Sequence, residues 1–176
     1  MRRERWLIRG LGKRVAPRAA VTQHAQDRRR RKKETDVAQK RGNVQYGALP
    51  YTLGTDGELR ILLVTSRGTR RWIIPKGWPM KFRRPHQAAA QEALEEAGVV
   101  GKPQKRPIGD YQYDKLTDDG LSIRCTVTVF PLEVRSLDKS WKEAKERERQ
   151  WFTRGEAAEL VAEPELRALL QNYSPG

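Results

Sequence analysis

The chain has 176 residues, enough for one domain with its own core, but only 37% are hydrophobic and 33% are charged, so part of it is expected to lie outside that core. Its single cysteine, Cys125, excludes an internal disulfide framework and a multi-cysteine metal centre, and no apolar run approaches the roughly 18 residues of a membrane-spanning helix. The net charge of +14 is unevenly placed: residues 1–41 hold 15 Lys/Arg against 4 Asp/Glu, while the remainder is close to balanced with 21 against 18.

Residues 1–41 therefore read as a basic tail, flexible or partly helical, with the run Arg28 to Lys33 repelling itself. Such a tail attracts nucleic acid or acidic surfaces without sequence readout, since Trp6 is its only aromatic residue. Its start lacks the sustained apolar stretch of a secretory signal, and the lone cysteine, expected in the core, suits a reducing compartment such as the cytoplasm.

The folded domain is expected over 42–176. Val44 to Leu53 reads as a strand and Thr55-Asp56-Gly57 as a turn. Leu59 to Val64 is almost wholly apolar, a strand covered on both faces, and Arg71 to Pro75 is a third. Lys76 to Pro79 follows as a loop. Pro85 to Ala97 is the clearest helix, with Pro85 suited to its first position and Gly98 just past its end. A strand over Gly109–Leu116, a turn at Asp118-Asp119-Gly120 and an alternating strand over Leu121–Val134 come next. Trp151-Phe152 is a short last strand, and two helices over 155–162 and 164–173 close the chain. The order β-β-β-α-β-β-β-α-α gives an α+β fold, an α/β/α sandwich with a mixed sheet flanked by helices.

The chemistry concentrates on the first helix. Ala90, Ala93, Leu94 and Ala97 form an apolar stripe, and Glu92, Glu95 and Glu96 group on the opposite side. Three outward carboxylates on one helix are either a solvated face or a site for a hard divalent cation, which takes oxygen ligands. Gly77 lies upstream between two prolines, where its carbonyl can approach the helix. Around it Arg67, Arg70, Arg71, Lys76, Lys81, Arg83, Arg84 and His86 make a basic margin; Arg70, Lys76 and Lys81 are the candidate phosphate contacts. Trp78 is placed to stack on a base or cover a pocket, whereas Trp72 alternates within a strand and is expected in the core.

Residues 77–99 resemble the Nudix box: Gly, five residues, Glu, seven residues, Arg-Glu, an aliphatic residue, any residue, Glu-Glu, any residue, Gly, aliphatic. Gly77, Glu92, Ala93, Glu95, Glu96, Gly98 and Val99 are in register. Two positions depart, Arg83 for the first Glu and Gln91 for the Arg, and the resemblance spans roughly 42–170. It implies a metal-dependent phosphoanhydride hydrolase using Mg²⁺ or Mn²⁺. The Gly77 carbonyl, Glu92 and Glu96 would be ligands and Glu95 or Glu96 the general base. Glu143, Glu146 and Glu148 are alternatives for the base within a segment, Lys142 to Arg149, that otherwise reads as a solvated charged loop. The stretch Arg71 to Pro79 resembles the branch holding diphosphoinositol polyphosphate phosphohydrolases and diadenosine polyphosphate hydrolases. A nucleoside triphosphate or nucleotide-sugar pyrophosphohydrolase, or a catalytically weak binding module built on the same fold, are the competing expectations.

Overall fold

A computed structural model of the chain describes residues 43–117 and 120–175. The basic tail expected over 1–41 and the turn residues Asp118 and Asp119 lie outside the described residues. Strands β1 (Val44–Leu53), β2 (Leu59–Thr65), β3 (Trp72–Ile73) and β4 (Lys76–Gly77) precede helix α1 (Pro85–Ala97). Then come β5 (Val99–Pro103), β6 (Gly109–Leu116), β7 (Ser122–Leu137) and β8 (Arg149–Thr153), and helices α2 (Arg154–Leu160) and α3 (Pro164–Asn172).

The sheet is mixed. β1 and β7 run parallel side by side, and every other pairing is antiparallel. Both long strands change partner midway. β1 pairs with β4 at Tyr46 and Gly47 and with β2 from Tyr51 to Leu53; β7 pairs with β6 along its first half and β5 along its second. Side chains alternate across this sheet into two cores. Leu49, Ile61, Leu63, Val127 and Val129 pack with Ala157, Leu166 and Leu170 of α2 and α3. Ala48, Leu62, Val64, Phe130 and Leu132 pack with Ala89, Ala93 and Ala97 of α1. The apolar run of β2 is thus buried on both faces, as its composition implies, and the α/β/α layering follows. Cys125 is fully buried in β7, and Trp72 packs edge-on against Phe152 with ring centres 5.0 Å apart.

Three strands differ from the sequence reading. The expected strand Arg71–Pro75 stops at Ile73, and Lys76-Gly77, expected as loop, forms β4. Pro75 has no N–H to give a ladder, though its carbonyl still accepts from Ala48 N at 2.9 Å. β5 is absent from the sequence reading, because its five residues include Gly101 and Pro103 and show no alternation. A register shift falls between Val100 and Gly101, where the backbone passes so close to Glu133 O that no Cβ fits.

Helix α1 starts at Pro85, with the Arg84 N–H donating to Gln87 Oε1 at 3.0 Å. It ends at Gly98, in the left-handed region at φ 60°, whose N–H reaches Leu94 O at 2.9 Å. A Cβ there would meet Arg149 Nη1 at 2.7 Å and Trp141 Cβ at 3.1 Å. Gly98→Ala is therefore expected to cost about 1–2 kcal/mol from backbone strain alone. That lowers the melting temperature by roughly 3–10 °C; a calorimetric scan showing no change would remove the argument.

Candidate active site

The sheet and α1 meet at β4. Gly77 is buried, and a Cβ added to it would land on the carboxyl group of Glu92. The absent side chain of Gly77 is thus the space that holds the Glu92 carboxylate against the strand. Its carboxyl is pushed above the ordinary range by burial, then by the negative charges of Glu95 and Glu143.

Glu96 departs from expectation. The buried face of α1 carries Ala89, Ala93, Glu96 and Ala97, so Glu96 turns toward the sheet and is only 6% exposed. The apolar stripe is rotated toward the glutamates, because the sheet docks against Ala89 and Ala93 while Ala90 and Leu94 stay half-buried. Glu96 Oε1 accepts from Arg147 Nη2 at 2.6 Å and Oε2 from the Lys76 N–H at 3.2 Å. Burial pushes the Glu96 carboxyl up to about 7, against the pull of Lys76 and Arg147.

Arg147 is itself 7% exposed. Besides Glu96 it donates through Nη1 to Thr65 O at 2.9 Å and through Nε to Glu143 Oε2. One guanidinium therefore ties α1, the end of β2 and the segment before β8 together with its rigid fork of donors. Residues 142–149 read as a solvated charged loop, and for Arg147 and Glu143 that reading is corrected. Of the three alternative glutamates, the structure brings Glu143 to the helix. Glu146 pairs with Arg67 at 3.6 Å and Glu148 with Arg70.

Glu95 lies further out. It accepts from Gln91 Nε2 at 2.8 Å and forms a close ion pair with Lys142. The Lys142 hydrogen bond, then that of Gln91, holds its carboxyl below the ordinary range. Gln91, which stands where the Nudix pattern has Arg, thus still supplies a donor to the glutamates. Arg83, the other departure, contributes positive charge toward Glu95.

The segment before β8 also closes the C-terminal end of α1. Glu143 N donates to Glu95 O at 3.2 Å, Trp141 Nε1 to Glu96 O at 3.0 Å, Arg149 Nη1 to Ala97 O, and Asp138 N to Gly98 O at 2.8 Å. Arg149 lies 4.0 Å over the Trp141 ring and donates to Asp138 O at 2.8 Å. Four successive carbonyls at the negative end of a helix are satisfied this way. Of these residues only Glu143 was singled out from sequence, as an alternative base. The i, i+4 spacing of Glu143 and Arg147, on either side of an alanine at 144, was the available signal.

The basic candidates separate. Lys76 is nearest the glutamates; burial lowers its ammonium despite Glu96, and its Nζ lies 4.9 Å over the Tyr113 ring. Tyr113 donates to Gln45 Oε1 at 2.7 Å. Lys115 lies 4.9 Å over Trp78, which is exposed beside Gly77. Arg70, with φ 56°, donates to Glu146 O at 2.7 Å and pairs with Glu148, so it is bound to the segment before β8. Lys81 is exposed, 5.0 Å over Phe82.

Among the described residues, no three His, Cys, Asp or Glu side chains converge into a closed metal cage. The carboxylates are instead arranged openly: half-buried Glu92 lies against Gly77 with Glu95 and Glu143 near it, and Glu96 shares Arg147 with Glu143.

Comparison with known proteins agrees with the fold. The family described as NUDIX domain matches residues 47–173. Nudix hydrolase 12, mitochondrial, of Arabidopsis thaliana is 30% identical over 142 residues, covering 72% of this chain and 70% of that protein. Diphosphoinositol polyphosphate phosphohydrolase 3-alpha of Mus musculus is 32% identical over 110 residues, 61% of this chain and 63% of that protein. Among solved structures, a C. elegans Ap4A hydrolase binary complex superposes with a TM-score of 0.55 at 19% identity, covering 73% of this chain and 93% of that one. A NUDIX hydrolase from Nitrosomonas europaea gives 0.56 at 24% identity, covering 74% and 87%. At these identities the structures speak for the fold.

Proposed function

Since the chain belongs to the Nudix family and is a hydrolase, we propose that it cleaves a phosphoanhydride bond in a polyphosphorylated small molecule with the help of a divalent cation, Mg²⁺ or Mn²⁺. The observation that carries this reading is the Glu92 carboxylate. It is held in the space of a missing Cβ at Gly77 and raised by burial and by Glu95 and Glu143, a surplus of negative charge that a cation would relieve.

The donor set suits that cation. Mg²⁺ is commonly held by one or two carboxylates plus substrate phosphates rather than by a full protein cage, which fits an open arrangement of one carbonyl and few carboxylates. Gly77 O, Glu92 and Glu96 would hold it. Glu96 spends one lone pair of each oxygen on Arg147 and the Lys76 amide and keeps others for a ligand. When bound, the cation neutralises phosphate charge and lowers the barrier to attack by water.

The protein's own groups do the rest. Arg147 and the Lys76 amide fix Glu96 so that its oxygens do not reorganise. Glu95, with a side chain 27% exposed, is the more accessible of the two candidate bases and takes the proton from the attacking water. Lys76, held at the end of β4, faces the incoming phosphate with an ammonium that has already lost much of its hydration. Lys81, on the loop that follows Gly77, and Arg70, once released from Glu148, are the further phosphate contacts.

The similarity to the mouse diphosphoinositol polyphosphate phosphohydrolase supports a densely charged substrate of diphosphoinositol polyphosphate or diadenosine polyphosphate type. Nucleoside triphosphates and nucleotide sugars are the second choice. The buried Cys125 suits a reducing compartment such as the cytoplasm. The test is a panel of all four substrate classes with Mg²⁺ and with Mn²⁺, before and after chelation. Turnover is expected on a polyphosphorylated substrate and should fall to background on chelation. Failure on every class, with an intact fold, would favour a binding module and point to Arg83 and Gln91 as its origin.

A further inference from the structure

Two cations from the segment before β8 meet two successive glutamates of α1, and they differ in kind. Arg147 and Glu96 have side chains 6% and 7% exposed, and Arg147 is held by three elements at once. Lys142 is 68% exposed at the side chain and reaches Glu95 from the rim. Its ammonium is also felt by Glu143 and Glu92. It is thus bonded to Glu95 and carries its charge toward Glu92 and Glu143, where negative charge accumulates. An exposed lysine pair is weak and screened by salt, and its long stem swings away at little cost. A compact divalent ion beside Glu92 compensates the same local negative charge more effectively than a single ammonium.

We propose that Lys142, paired with Glu95 at the rim, is a displaceable counter-ion, an internal competitor for the divalent cation that Gly77 O, Glu92 and Glu96 would hold, while Arg147 is the permanent partner that positions Glu96. The inference rests on the metal reading above. Lys142 compensates the glutamates while no metal is bound and is released to solvent as the metal enters. The cation affinity is thereby set below what the carboxylates alone would give.

The consequence is that removing a positive side chain tightens metal binding. Mn²⁺ is titrated calorimetrically into the full chain, into Lys142→Met and into Lys145→Met, an exposed lysine of the same turn that serves as the control for net charge. At about 10 mM ionic strength, where the Debye length is about 30 Å, Lys142→Met is expected to bind Mn²⁺ roughly two- to five-fold tighter, with Lys145→Met moving less than half as far. At about 1 M the difference should close, because the length falls to about 3 Å. Glu92→Gln establishes that the measured ion sits at this site by losing the binding. Glu92-dependent binding that Lys142→Met leaves unchanged or weakens would overturn the role of Lys142 alone. An equal gain in Lys145→Met would overturn it too, leaving a general charge effect. No saturable Mn²⁺ binding in any variant would overturn both this role and the metal-dependent reading.

Discussion

Gly77→Ala is expected to fold and melt close to the unmodified chain and yet lose about 100-fold or more in kcat, matching Glu92→Gln. The three atoms nearest the added Cβ all belong to the far end of a flexible side chain, the Glu92 carboxyl group, so the fold yields cheaply. The φ of Gly77 is not positive, so alanine meets no backbone strain there. What cannot be kept is the position of the Glu92 oxygens, which must move by more than an ångström to clear a methyl group. Misplacement on that scale is enough to cost two orders of magnitude where reacting atoms must align. Glu92→Gln reaches the same end by keeping the shape and removing the charge. The pair is checked by calorimetric melting and single-substrate kinetics. A Gly77→Ala enzyme within about threefold of full kcat would mean that the Glu92–Gly77 contact has no part in the reaction.

Arg147→Ala is expected to be the most destabilising single change in the site, by about 3–5 kcal/mol. It strands Glu96, 6% exposed, and Glu143 without their guanidinium, and it orphans the Thr65 carbonyl. A melting temperature lower by roughly 10–20 °C follows. Replacing both partners, as Arg147→Met with Glu96→Gln, should recover part of the loss, because no buried charge is left unpaired. The deficit also has a pH signature. The folded value of Glu96 is about 7 against an ordinary value of 4.5, so its stabilising form is the protonated one, fully present below 4.5 and lost as pH rises through 7. Without Arg147 the folded value moves further up, so the deficit of the variant should shrink as pH is lowered from 7 toward 4.5. A deficit independent of pH across that window would mean that the guanidinium stabilises by packing alone.

The features legible in the sequence were those written locally. β2 announced itself by a run of apolar residues, α1 by Pro85 and Gly98, and the candidate site by the spacing of Gly77, Glu92, Glu95 and Glu96. The unread features depend on distant chain. Which face of an alanine-rich helix turns inward is decided by the sheet it docks against, and the small difference between Ala90 and Ala89 carries no such information. Glu96 is buried because Arg147 reaches it from 51 residues downstream, and an arginine inside an alternating charge run looks the same whether it ends in water or in a core. β4 and β5 are short segments containing glycine or adjoining proline, and they become strands only through what β1 and β7 offer them.

The four carbonyls of Glu95, Glu96, Ala97 and Gly98 all take their protons from residues 138–149. In folding terms, the last turn of α1 is only partly local: Gly98 caps it, but its free carbonyls depend on distant chain. Isolated helices of this length are marginal in water, so the turn bearing Glu95 and Glu96 consolidates only after the chain has returned some forty residues later. The amides of that turn should then exchange with solvent together with those of β8, as one cooperative unit, and later than the first turn of the same helix.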